Sequence, residues 1–197
     1  MVEPVSYNEA TALLVVDVQN DFANPNGGLY VGGGEEVVPI INLEIDRART
    51  AGGFVCYTQD WHPPHTPHFA QDGGIWPVHC VGGTWGADFH SDLVIAGPAV
   101  RKGSDGEDGY SGFTMRDPMS SEVVATELTA MLRARAIERL VVVELALDYC
   151  VKDTAIDGVT EGFETAVLIA ATRPVELNAA DSAAARTALV EAGVELL

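Results

Sequence analysis

Apolar residues follow two alternating rhythms along this chain. Residues 11–19, "TALLVVDVQ", form a near-continuous apolar run that turns polar only at its end, as a strand buried on both faces would. Over 37–51 the apolar positions return at helical spacing, and Gly52-Gly53 closes the segment. "FVCYTQ" (54–59) predicts a second strand, and after a long Gly/Pro/His-rich stretch "DLVIAGPAVRKG" predicts a third close to Val100. Ser120-Ser121-Glu122 opens an expected helix to about Ala136, and "RLVVVELAL" predicts a fourth strand. "DYCVKDTAIDGVTEG" predicts a helix with Asp148 as its N-cap. A fifth strand ("ETAVLIAA"), a helix over 178–192 and a short last strand ("VELL") complete the pattern.

Alternation of this kind predicts an α/β fold: a three-layer, doubly wound, mainly parallel sheet between helices. Such sheets bind ligands beyond the carboxyl ends of their strands. The residues expected there are Asp17 after strand one, Asp60 and His62 after strand two, Lys102 after strand three, and Asp148 to Cys150 after strand four. Acid, imidazole, ammonium and thiol share one rim.

Composition narrows the classes. With 197 residues, 47% of them hydrophobic, and no low-complexity tract or repeat, the chain reads as one globular domain over 1–197. No apolar run is long enough for a bilayer, and "MVEPVSYNEA" lacks the basic start and apolar core of a signal peptide, so a cytoplasmic protein without a membrane partner is expected. A net charge of −18 argues against nucleic acid. Three cysteines without a C-x-x-C pair fit reduced thiols, with Cys56 in "FVCYT" as a small core residue.

Each chemically suggestive group has a plainer reading beside it. Cys150 sits two residues past the expected N-cap, where unpaired N–H groups favour a thiolate and could bind an oxyanion; taken alone, it reads more readily as a buried cysteine that merely starts a helix. Lys102 is one of two lysines against nine arginines, and is either a solvated strand end or an ammonium tuning Cys150 and Asp17. Asp17, at the end of an apolar strand, suits a structural ion pair or a proton shuttle. "DWHPPHTPHF" carries three of the five histidines. If it stayed extended at ~3 Å per residue, His62 and His68 would lie roughly 18 Å apart, so shared ligation requires the prolines to fold it back. Asp60 and His62 project to one side, and with His79 of "IWPVHC" they suit Zn²⁺, Fe²⁺ or Mn²⁺; a mobile loop of surface imidazoles is the alternative. The aromatics Phe22, Trp61, Phe69, Trp76, Trp85 and Tyr110 either pack ordinarily or wall a site for a flat ring.

Four segments, "VVDVQNDF", "DWHPPHTPHF" with "IWPVHCVGGTWGADFH", "RKGSDGEDGYSGF" and "ELALDYCVKDTAIDG", resemble in order and spacing the nicotinamidase/pyrazinamidase branch of the isochorismatase-like cysteine hydrolases. The resemblance extends from Leu13 to the C-terminus. It implies a six-stranded parallel sheet, a catalytic set of Asp17, Lys102 and Cys150, and one divalent metal ion on Asp60, His62, His68 and His79, with His65 a bystander. It further implies a ring pocket of Phe22, Trp76, Tyr110 and Leu145, a cis peptide before Ala146, and an oxyanion hole from the N–H groups of Ala146 and Cys150. The implied activity is deamidation of nicotinamide, with pyrazinamide as a further candidate, in NAD salvage. A relative acting on another small amide, or a silent member serving as a binding module, are the alternatives, and a homo-oligomer stays open. Two positions depart from the family pattern. Glu144 replaces a usual Gly and is expected to reach a partner near the rim or alter the pocket, and Leu147 replaces a small polar residue.

Overall fold

The apolar run of the first strand becomes the middle of a sheet. In this computed structural model, which describes residues 5–197 and only the backbone at Glu144, β1 (Thr11–Val16) is buried along its whole length. It pairs in parallel with β2 (Phe54–Asp60) on one side and β6 (Arg139–Leu145) on the other. With β3 (Ala99–Lys102), β7 (Glu164–Arg173) and β8 (Glu195–Leu196) the sheet has six strands in the order β3-β2-β1-β6-β7-β8, every pairing parallel.

Alternation along β1 sorts the core into two layers. Leu13 and Val15 face the helix α2 (Gly34–Thr50), whose Val37, Ile41, Ile45 and Ala48 repeat at helical spacing. Leu14 and Val16 face α3 (Leu128–Arg133), α4 (Lys152–Thr160) and α5 (Asp181–Glu191) through Leu128, Leu132, Ala155, Ala185 and Leu189. Cys56 lies in that second layer, fully buried. Among the described residues no helix is long and apolar enough to cross a membrane.

The chain builds β1, β2 and β3 outward in one direction, then returns to β6 on the far side of β1. Loops leaving β1 and β6 therefore diverge and open a crevice at the carboxyl ends, the switch point of an open parallel sheet. Asp17 leaves β1 there with φ 55°, a left-handed conformation that Asp tolerates better than most residues.

Two expectations need correction. The helix expected over 120–136 begins only at Leu128. Ahead of it, β5 (Val123–Ala125) pairs antiparallel with β4 (Thr114–Arg116). The Asp117 carboxylate accepts the N–H groups of Met119 and Ser120 at 2.8 and 2.6 Å and makes the turn, and the β-branched pair Val123-Val124 suits a ribbon better than a helix. Nor does Asp148 cap a helix. A π-helical turn over Leu147–Val151 starts from Ala146, while Asp148 accepts the N–H groups of Val175 and Glu176 at 2.9 and 2.8 Å. That carboxylate fastens the segment after β7 to the turn carrying Cys150. The short helix α1 (Asn20–Ala23) was not anticipated, because four residues give no periodicity to read.

Candidate active site

Three strand ends and one turn bring the rim residues together around Lys102. Its ammonium lies 2.6 Å from Asp17 Oδ2, 3.0 Å from Asp60 Oδ1 and 3.6 Å from Cys150 Sγ. The carbonyls of Tyr110 and Gly109 accept from it at 3.1 and 3.4 Å. Lys102 is 1% exposed, so the solvated strand end is excluded.

One buried cation serving two carboxylates sets their proton affinities apart. Burial would depress Lys102, but Asp17, Asp60 and Cys150 hold its pKa well above the usual lysine value, so it stays charged. Burial works against the charge on Asp60 too, yet Lys102 together with His62 and His79 keeps that carboxyl far below the usual range. Asp17 has less help. Burial pushes it up, against the pull of Lys102 and a 2.8 Å hydrogen bond from Thr58 Oγ1. Of the two acids, Asp17 is the one placed to take up a proton.

The histidine stretch folds back, as ligation requires. His62 donates its N–H to the Cys80 carbonyl at 2.9 Å, and Gly82 returns to His62 O at 2.8 Å, pinning "DWH" to "HCV". The His62 and His68 rings stack with centroids 4.8 Å apart. One ligating atom from each of His62, His68 and His79 lies within 4.8 Å of the others, and all three residues are buried. His62 Nε2 and His79 Nε2 stand 3.7 and 3.9 Å from Asp60 Oδ2. These separations put Asp60 beside the three-histidine cluster, which itself has spacing suited to a metal ion. Burial lowers the His79 pKa to about 4, leaving a neutral imidazole. Its Nδ1 is engaged by the Pro77 carbonyl at 2.7 Å. By contrast His65 is 79% exposed in its side chain and pairs with Asp72.

Beside the imidazoles lies a mainly apolar cavity. Phe22, Trp76, Tyr110, Leu145, Ala146 and Cys150 line it with His68, His79 and Asp60, so the expected ring-pocket residues share one space. Trp76 Nε1 donates to the Tyr110 hydroxyl at 2.9 Å, which locks two walls together. Trp61 points elsewhere, under the Arg101 guanidinium at 3.7 Å, and Trp85 is half exposed. Several residues escaped the sequence reading. Leu29, Val31 and Val175 line the cavity from loops without periodic pattern, and Tyr149 packs edge-on to Trp76 with centroids 5.0 Å apart. Gln19 receives the Asp60 N–H at 2.8 Å and donates to its carbonyl at 2.7 Å, fixing that residue's backbone. Its signal was present, since a buried amide directly after an apolar strand needs partners.

The isochorismatase domain family matches residues 11–196. The chain belongs to this family. It is 37% identical over 190 residues to the nicotinamidase/pyrazinamidase of Mycobacterium tuberculosis, covering 94% of this chain and 97% of that protein. The structure of the pyrazinamidase of Pyrococcus horikoshii in complex with zinc superposes with a TM-score of 0.85 at 32% identity, over 95% of this chain and 98% of that one. PnC1 from L. infantum in complex with nicotinate gives a TM-score of 0.88 at 35% identity, over 98% and 95%.

As an isochorismatase-family member the chain carries a cis peptide between Leu145 and Ala146, as the resemblance implied. Leu147, one of its two departures, is buried in the core layer beneath α4 and α5 and is absent from the cavity wall. The expectation for the other, Glu144, concerns a side chain outside the described residues. Its backbone pairs with Val16 and Thr172 inside the sheet.

Proposed function

We propose that this isochorismatase-family protein is a metal-containing amidohydrolase that converts nicotinamide to nicotinate and ammonia through a thioester on Cys150, and that pyrazinamide, with the same carboxamide on a similar ring, is also a substrate. One observation carries the reading: a single apolar cavity has Cys150, backed by Lys102, on one wall and His68 and His79, two of the three clustered histidines, on another. A flat aromatic amide has two ends, and these walls offer each a different chemistry.

The donor set fits a divalent ion. Both ring nitrogens of His62 are buried without a hydrogen-bond partner, a state that costs about 1–3 kcal/mol unless something satisfies them. Asp60, His62, His68 and His79 would hold zinc, iron or manganese, and such an ion when bound offers a Lewis-acid anchor to a ring nitrogen. The carbon–nitrogen chemistry belongs to the chain's own residues. Asp17 takes the Cys150 proton, and the adjacent Lys102 ammonium stabilises the resulting thiolate. Sulfur attacks the amide carbon, and the oxyanion rests against the N–H of Ala146 and the turn that carries Cys150. Asp17 returns its proton to the departing nitrogen, ammonia leaves, and the thioester remains. Water then attacks with Asp17 again as base, releasing nicotinate and the thiol.

Charge in the cavity separates this reading from other small amides. Among the described residues lining it, none is Arg or Lys, and Lys102 already faces two carboxylates. A substrate bearing its own carboxylate, such as maleamate or ureidoacrylate, would find no arginine or lysine of the lining to pair with, and would compete for the ion that a neutral ring nitrogen is offered. Ammonia release by purified, metal-loaded protein should therefore favour nicotinamide over maleamate in kcat/KM by about 10³-fold or more. Equal rates, or a preference for maleamate, would overturn the substrate assignment.

Metal content tests the histidine assignment. His68→Ala should lower bound metal after dialysis by at least about tenfold, whereas His65→Ala should leave it unchanged. Loss in His65→Ala alone would show that the two histidines had been given each other's roles, and full metal retention in His68→Ala would show that His68 is not a ligand.

A further inference from the structure

We propose that Asp108 is a positioning residue that fixes the tautomer and direction of the His68 imidazole and ties it to the wall that holds Lys102. Asp108 lies outside the expected metal set and does not line the cavity. Its Oδ1 is 2.8 Å from His68 Nδ1, and its Oδ2 meets the Arg116 guanidinium at 3.4 Å. His68 Nδ1 has a carboxylate as neighbour, so that nitrogen carries the proton and Nε2 is left as the nitrogen with a lone pair. A neutral imidazole has only one such lone pair, and an uncommitted ring would divide its population between two tautomers and two orientations.

Asp108 is itself held from behind. Its backbone exchanges hydrogen bonds with Arg116 at 2.7 and 2.6 Å, which anchors it to β4 of the small hairpin. The next two residues supply the carbonyls that accept from Lys102, and the Tyr110 hydroxyl accepts from Trp76. Thr66, two residues before His68, donates to Gly106 O at 3.0 Å. The 106–110 segment thus grips the histidine loop, the ammonium and one ring-pocket wall within five residues. The β4–β5 ribbon, which has no part in the chemistry, becomes the support for one corner of the site.

This inference rests on the metal reading above, and the experiment keeps the two apart. Zinc alone is titrated into metal-stripped protein against a chelating dye, and histidine ¹⁵N spectra are recorded on the same metal-free samples. Asp108→Ala should bind zinc 10–100-fold more weakly than wild type. In the metal-free spectra it should convert His68 from a single Nδ1–H tautomer to a mixture. Asp108→Asn keeps an acceptor oxygen in place, so it should preserve the tautomer and recover most of the affinity, a rescue that a purely structural defect would not show. A His68 tautomer identical in wild type and Asp108→Ala overturns the proposal, whatever zinc does. Wild-type zinc affinity in Asp108→Ala overturns it too, while His68→Ala in the same titration shows whether the metal reading itself stands.

Discussion

Cys150→Ala should lower kcat for nicotinamide by at least about 10⁴-fold while leaving the fold and the bound metal intact. The size of the effect follows from the division of labour in the cavity. Among the described residues lining the cavity Cys150 carries the one thiol; Lys102 is a saturated ammonium and Asp17 a buried acid behind it. Removing one sulfur from a pocket wall leaves a small void, costing about 1 kcal/mol, and Lys102 keeps both carboxylates. Stability and chemistry should therefore separate cleanly. Wild type should also take up an electrophilic nicotinamide analogue at one sulfur, seen as one mass increment that Cys150→Ala lacks. Turnover above about 1% of wild type in the variant would remove the thioester from the mechanism. A wild-type protein that neither turns over nor reacts with the electrophile would instead support the silent binding module.

The rim was legible because a parallel sheet gathers the ends of its strands. β1 announces itself by an unbroken apolar run, and whatever follows such a run must lie beside the ends of its neighbours, so Asp17, Asp60 and Lys102 could be placed together without coordinates. The connections were not legible in the same way. Asp148 looked like an N-cap from its place in the chain, but its carboxylate reaches Val175 and Glu176, about 27 residues on, and only the packed structure brings those N–H groups near. Asp108 and the cavity residues Leu29, Val31 and Val175 come from segments whose course is set by isolated hydrogen bonds to distant partners, backbone or side chain, rather than by periodicity. Asp21 illustrates the type: it receives Gly28 N–H at 2.8 Å and Cys80 N–H at 2.6 Å, holding three loops at once. Spacing alone also left His65 and His68 equivalent. What distinguishes them is that one projects beside Asp72 at the surface and the other stacks on His62.

Lys102→Met should destabilise the protein by about 3–5 kcal/mol at neutral pH as well as suppress turnover. The methylene stem is replaced closely in volume, so the loss is of charge, not packing. Asp17 Oδ2 and Asp60 Oδ1 are both buried and have no hydrogen-bond partner apart from this ammonium. In wild type, the depressed Asp60 pKa is a source of stability present above the ordinary carboxylate pKa and lost on acidification. Without the ammonium, both acids should have folded-state pKa values above their unfolded ones. Such groups cost little when protonated, and their cost grows as pH rises past about 4. The stability gap between variant and wild type should thus be widest near pH 7.5 and shrink toward pH 5 in urea unfolding of metal-depleted protein. Metal on Asp60 would compensate that carboxylate, so in loaded protein the loss falls mainly on Asp17. Asp17→Asn added to Lys102→Met should then restore a large part of the stability but none of the activity, because it removes the stranded charge and the base together. A gap that is small at pH 7.5, or equally wide at pH 5, would mean that the buried ammonium is not what holds these carboxylates in the fold.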